Sequence, residues 1–350
     1  MKKYTILFWF FYPSTICAQL VDVASISNRI VNEAVIVKPG DLVYVHGSME
    51  AAPLVKSIIA AYSKMGAHAF SEQHNAGGYK PEMAQVLILI HPEERVIQKE
   101  SSIQSKAKRQ VRILHVTYPT RSFAERMKLN FDTYSEMMSK ALLFDYRIQN
   151  NNISRLKHLL ENSNQVRITT QEGTDFSFMV NKRPIVVSDG RITKEDLLNT
   201  SVFNKEDKLP AGMIEVSILE TSAVGHVVIP HAECNAAPMT DVSFDFVRGK
   251  VENFKAKEGA DCFTSGLAKH SGPKDMIGSI SFGFNTELKS IDEHGGLYWP
   301  QAGVAILSLS IGSNEILGGK NPSSCGQFSF PILWPTVEMD GKVVLKSVEH

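Results

Sequence analysis

The sequence predicts an α/β protein in two parts: a doubly wound α/β domain, then a mainly antiparallel, β-rich domain. Three observations predict it. Helix-spaced and strand-length segments alternate through the first half. One strand-length run, Val86–Ile90, is apolar at every residue. The second half carries two-residue hairpin signatures at Arg248-Gly249 and Asp340-Gly341. Strands joined by helices imply right-handed crossovers and a parallel sheet, whereas hairpins join antiparallel neighbours.

Each element follows in order. Lys2 and Lys3 precede an apolar run from Thr5 to Ile16, and Cys17-Ala18-Gln19 offers a small residue at a cut. That is the layout of a secretory signal peptide over 1–18. A spanning helix would need about 20 apolar residues, and Pro13 interrupts this run. A lipidated Cys17 would want a small residue where Ile16 stands. The mature chain is therefore expected in the periplasm or outside the cell, off the membrane once the leader is cleaved.

Val21 to Val37 has helical spacing and stops at Pro39-Gly40-Asp41, a turn signal. Leu42 to His46 reads as a strand, Ala51 to Met65 as a helix ending at Gly66, and Val86 to Ile90 as a strand covered on both faces. Val111 to Val116 repeats that pattern, and helices are expected at about 122–146 and 153–160. Beyond Asn164 the pattern changes to short alternating strands, including VRITT, FSFMV, VSFDFVRGKVENFKA and TVEMDGKVVLKS. The expected division is a signal peptide at 1–18, an α/β domain at 19–163 and a β-rich domain at 164–350. The polar stretch Ser188 to Lys208 reads as a connector or a surface excursion.

Composition narrows the function classes. Hydrophobic residues make up 43% of the chain, enough for a sizeable core, and about 330 mature residues suit two domains. The 37 basic and 37 acidic side chains balance, and loss of Lys2 and Lys3 leaves the mature chain at −2. No basic excess points to nucleic acid or anionic lipid. Mature Cys234, Cys262 and Cys325 permit one disulfide with one thiol left over, or none. No CxxC pair points to a cysteine-built zinc site.

The segments VKPGDLVYVHGSMEAAPLVKSIIAAYSKMGAH, VRITTQEGTDFSF, LPAGMIEVSILETSAVG, DVSFDFVRGKVENFKA, IGSISFGFN, GGKNPSS and VEMDGKVVL occur in that order. Together they resemble the aminopeptidase T / aminopeptidase S family of metalloaminopeptidases over about Val21 to Leu345. The resemblance implies an N-terminal α/β domain, a β-rich domain holding two metal ions, and a homodimer. Paired metals suit peptide hydrolysis because they polarise the scissile carbonyl and acidify a bridging water. Such a site needs carboxylates and imidazoles.

The positions that the resemblance assigns to those ligands hold other residues. The family's Leu-Pro-x-Gly-Glu falls on Leu209 to Met213, so Met213 stands at the first glutamate and Ser279 at the second. Ser308 stands nearest the histidine, and the His-x-Asp pair falls on Gly326 and Phe328. A related mononuclear-iron, ring-cleaving dioxygenase has a cysteine before its ligand pair, as Cys325 is here, but Gly326 and Phe328 stand at two of its three ligands and Ser279 at the third. The expectation is thus an exported protein of this fold without the dinuclear site, binding a peptide or small molecule, with no cofactor. The alternative is an active metallohydrolase or dioxygenase-like enzyme holding zinc, cobalt, manganese or iron through a rebuilt site.

Glu220 matches a family glutamate and is the candidate catalytic carboxylate. His226, His231, Glu233 and Cys234 are the candidate rebuilt site, although His226 and His231 would point to opposite faces of a strand unless Pro230 breaks the alternation. His46 ends a parallel strand, where ligands sit in open α/β sheets. Cys325 is a candidate nucleophile that also suits a buried thiol. Tyr298, Trp299 and Pro300 suit either a cleft wall or packing.

Overall fold

The computed structural model describes residues 21–91, 111–180, 182–198, 205–234, 237–293 and 296–347. The expected signal peptide lies outside the described residues, as do residues 199–204 of the expected connector. Among the described residues, the first sheet has the order His68–Phe70, Leu42–Gly47, Val86–His91, Arg112–Thr117 and Glu206–Leu209, with every pairing parallel. Val86–His91 and Arg112–Thr117 are both buried at every residue, as central strands covered on both faces are, although the second also buries Arg112, His115 and Thr117.

The first expected helix forms as Val23–Arg29 and continues as a wider π turn over Ile30–Ala34. Ala52–Lys64 forms the second, with Leu54, Val55, Ile58 and Tyr62 turned inward at helical spacing. The long helix expected at 122–146 is instead two, Arg121–Arg126 and Phe131–Leu143. Thr120 and Asn130 explain the break: each side chain accepts a backbone N–H at a helix start, while Lys128 between them takes a positive φ of 56°.

The second half is antiparallel. One sheet runs Lys250–Lys255, Ala237–Val247, Val224–Cys234, Asp175–Phe178, Val166–Thr169, Thr336–Met339 and Lys342–Lys346. Another runs Phe328–Leu333, Ile306–Ile311, Ile277–Gly283, Met213–Ser217 and Ile185–Ser188. Both expected hairpins form, Val247 facing Lys250 and Met339 facing Lys342. Their central residues, Arg248-Gly249 and Asp340-Gly341, all have positive φ, the conformation of the tight turns that match strand twist. Gly249 is also required sterically, since a Cβ there would lie 1.6 Å from the Glu220 carbonyl oxygen.

A core rich in phenylalanine fills the space between these sheets, with Phe176, Phe178, Phe244, Phe246, Phe263, Phe282 and Phe330 all buried. The expected boundary at 163/164 is crossed by the chain, because Glu206–Leu209 returns to pair with Arg112–Thr117 in the first sheet. A further cluster joins Phe123, Tyr134 and Met138 to Met213, Leu288 and Tyr298. The two halves therefore share buried contacts as well as a sheet edge.

Candidate functional site

Side chains alternate across the second antiparallel sheet, and the two faces differ in chemistry. Ile214, Val216, Ile280, Phe282, Leu309 and Phe330 belong to the core on one face. The intervening residues present Glu215, Ser279, Ser281, Ser308, Ser310 and Ser329 on the other, and these serines are all buried. The hydroxyls are knitted together. Ser279 Oγ donates to Glu215 Oε1 at 2.8 Å, and Gln327 Nε2 reaches Ser279 Oγ at 3.0 Å and Glu215 Oε1 at 3.4 Å. Ser310 and Ser329 pair at 3.0 Å, and Gln301 Nε2 donates to Ser308 Oγ at 3.4 Å. Ser281, between Glu215 and Ser308 in register, has its hydroxyl buried without a hydrogen-bond partner among the described residues.

Of the five positions that the resemblance assigns to metal ligands, Met213, Ser279 and Ser308 lie on this face. Met213 packs at its end among Phe123, Tyr134, Leu288 and Tyr298. Phe328 turns the other way, into the core, with its ring 4.8 Å from Phe263 and 5.2 Å from Phe330. Gly326 lies exposed in the preceding loop, with open space where a Cβ would stand. The polar face thus offers hydroxyls, amides and one half-buried carboxylate, Glu215. That donor set does not fit a dinuclear metal centre, which needs several anionic or imidazole ligands.

Glu220 occupies a different setting. Its carboxylate pairs with Arg183 Nη2 at 2.6 Å and accepts from Asn314 Nδ2 at 3.0 Å and from the Lys320 N–H at 2.6 Å. Asn314 in turn donates to the Gly278 carbonyl and accepts from the Asn321 N–H. Burial pushes the Glu220 carboxyl up, but backbone N–H groups, Asn314 and Arg183 outweigh it and hold it below the usual glutamate range. Glu220 thereby fastens the Gly318-Gly319-Lys320-Asn321 segment to the sheet.

The four residues of the candidate rebuilt site do not assemble. Cys234 is joined to Cys262 by a disulfide, so its sulfur cannot act as a thiolate ligand. Burial along Val224–Cys234 changes phase at Pro230-His231, leaving both His226 and His231 exposed and Glu233 half-buried. His226 Nδ1 lies 2.7 Å from Asp245 Oδ1. Among the described residues, no three or more His, Cys, Asp or Glu side chains group as a metal site. The leftover thiol, Cys325, is buried, and burial pushes its pKa up, away from the thiolate a nucleophile requires. Tyr298 packs edge-on against Phe123 and Tyr134.

Other polar groups were not singled out in the sequence. His91 and His115 stand with His46 toward the carboxyl ends of neighbouring parallel strands, and the His91 and His115 rings are 5.5 Å apart. Burial, followed by His115, Lys208 and His46, drives the His91 pKa down to about 3, so its ring is neutral at physiological pH. His115 Nε2 lies 2.9 Å from Glu206 Oε1. Lys208 Nζ donates to Gln301 Oε1 at 3.2 Å, and Gln301 continues to Ser308, which links the parallel sheet to the serine-lined face. The only hint in the sequence was placement, since each histidine ends or nearly ends an apolar strand.

The parallel sheet joined to two antiparallel sheets makes this a mixed α/β protein. The sequence matches no protein-family model and no curated protein. Among solved structures, wild-type AmpT from Thermus thermophilus aligns with a TM-score of 0.63 over 93% of this chain and 97% of its own, at 12% identity. The 2,5-dihydroxypyridine dioxygenase of Pseudomonas putida KT2440 aligns with a TM-score of 0.62 over 94% and 96%, at 14% identity. Identity this low establishes a shared fold.

Proposed function

We propose that this chain is an exported protein of aminopeptidase T fold that has lost the dinuclear metal site and binds a peptide or small molecule without hydrolysing it. The observation that carries the reading is the donor chemistry of the serine-lined face, where Ser279 and Ser308 replace ligands and Glu215 is the one carboxylate. A dication there would retain an uncompensated charge in a poorly solvated setting. Glu215, flanked by Ser279 and Gln327, instead suits a ligand that offers hydrogen-bond donors. The Cys234–Cys262 disulfide supports export, because such bonds persist in oxidising compartments. A homodimer is proposed from the resemblance alone and is checked by light scattering on the purified chain.

The test is elemental analysis of the mature protein together with hydrolysis of aminoacyl-chromogen substrates and ring opening of a dihydroxypyridine. The expected result is no stoichiometric metal and no turnover. Stoichiometric zinc, cobalt, manganese or iron with chelator-sensitive turnover would overturn the reading and restore an enzyme.

A further inference from the structure

The junction between the parallel sheet and the serine-bearing sheet contains a second polar cluster. Asp207 lies within the edge strand Glu206–Leu209 and is buried, with 7% of its surface exposed. Its Oδ1 accepts from Ser188 Oγ at 2.6 Å and from the Lys208 N–H at 2.7 Å, and its Oδ2 accepts from the Arg191 N–H at 2.9 Å. Asp189 Oδ1 accepts from the same Arg191 N–H at 3.0 Å, so the two carboxyls converge on one donor. The turn that carries these donors also anchors the N-terminal helix, since the Ile192 N–H donates to the Ala34 carbonyl. A cleft of about 170 Å³ opens beside the pair.

We propose that Asp189 and Asp207 form a proton-held clasp, which locks the Ser188–Ile192 turn onto the Glu206–Leu209 strand while the carboxyls share a proton and releases it when that proton passes to solvent. Two adjacent carboxylates, one buried and one half-buried, repel each other and are poorly solvated, so one of them retains a proton. Burial and then the Asp189 charge push Asp207 up to about 8, and burial raises Asp189 as well.

The other charges facing the pair do not remove this tension. Asp196, from the short helix Lys194–Leu198, raises Asp189 further, and Arg191 lowers it. Lys157, from the helix Asn150–Asn162, and Glu206 line the cleft. Arg191 is drawn toward Glu33 at 3.8 Å, and Lys208 toward Gln301. From the remaining side, buried Tyr146, with Arg29 stacked on its ring, faces Asp207.

The experiment is trypsin cleavage after Arg191 in the folded mature chain, normalised to cleavage of an unfolded control at each pH. Below the folded pKa, the deprotonated population grows about tenfold per pH unit. Normalised cleavage is therefore expected to rise about tenfold from pH 6 to pH 7 and to level off above about 8. Asp207→Asn, which cannot lose the proton, should abolish that rise. Asp189→Asn removes the repelling charge, so the Asp207 carboxyl, followed by its infrared C=O band, should titrate at lower pH. This second variant keeps the test open if Asp207→Asn fails to fold. Normalised cleavage that is flat with pH in the wild-type chain, or a carboxyl band unmoved by Asp189→Asn, overturns the clasp.

Discussion

Glu220→Ala separates a structural glutamate from a catalytic one. The Glu220 and Arg183 side chains are only 15% and 9% exposed, so truncation removes the guanidinium's carboxylate and leaves it donating to the Gly318 carbonyl at 2.8 Å. Removing one member of such a buried pair costs about 3–5 kcal/mol. The Asn314 amide and the Lys320 N–H also lose their acceptor. The two losses overlap, so the expected total is about 4 kcal/mol at neutral pH. Urea unfolding measures it, and a cycle with Arg183→Met isolates the pair, with an expected coupling of about 2 kcal/mol or more. The pH dependence has a definite sign. A folded pKa below the unfolded value means that the contribution is present above about pH 4.5 and fades as pH falls through the folded pKa, where the variant and the parent converge. A cost below about 1 kcal/mol at neutral pH would refute the anchoring role and return Glu220 to the catalytic candidates.

Three further outcomes follow from the packing. The Cys234–Cys262 bond closes a separation of 28 residues, so Cys262→Ser is expected to cost roughly 3.5 kcal/mol, and urea curves with and without reductant should show the same difference. Phe263, 4.3 Å from Phe254 and 4.8 Å from Phe328 between ring centroids, should cost about 3–5 kcal/mol as Phe263→Ala, measured by chemical denaturation. The Thr174 hydroxyl donates to the Val228 carbonyl at 2.8 Å and accepts the Val228 N–H at 2.9 Å, so the near-isosteric Thr174→Val should cost about 2 kcal/mol, seen as a lower melting temperature.

The legible part of the fold was periodic or geometric. Val86–Ile90 announces a parallel sheet because it is apolar at every residue, as a strand covered on both faces tends to be. Arg248-Gly249 and Asp340-Gly341 announce hairpins because only a few residues tolerate positive φ in pairs. The break at Lys128 was hidden because Thr120 and Asn130 act by capping, which apolar spacing does not record. The strand Glu206–Leu209 was also hidden. It is short, highly charged and on a sheet edge, so it lacks the apolar signature by which its neighbours were read. The candidate site was legible only position by position. Ser279 and Ser308 share a face, but the inward turn of Phe328 depends on the aromatic cluster around Phe263, which is assembled from distant segments. His115 was read as part of a strand and His91 lay just past one, and nothing in one dimension brings them together.

The serine-lined face also shows how a sheet can bury a row of hydroxyls beside a single carboxylate. Ser279 spends its hydrogen on Glu215, Ser310 pairs with Ser329, and Gln301 bridges Ser308 to Lys208. Ser279 both donates and accepts, so one hydroxyl can satisfy polar groups on either side of it. A row of carboxylates in the same places would repel, and would persist only with a cation or retained protons to neutralise it. The hydroxyl of Ser281 is the exception, buried between Glu215 and Ser308 without a partner among the described residues. An orphaned buried hydroxyl costs about 1–3 kcal/mol, so Ser281 marks the place on this face where a water or a ligand donor group gains most by binding.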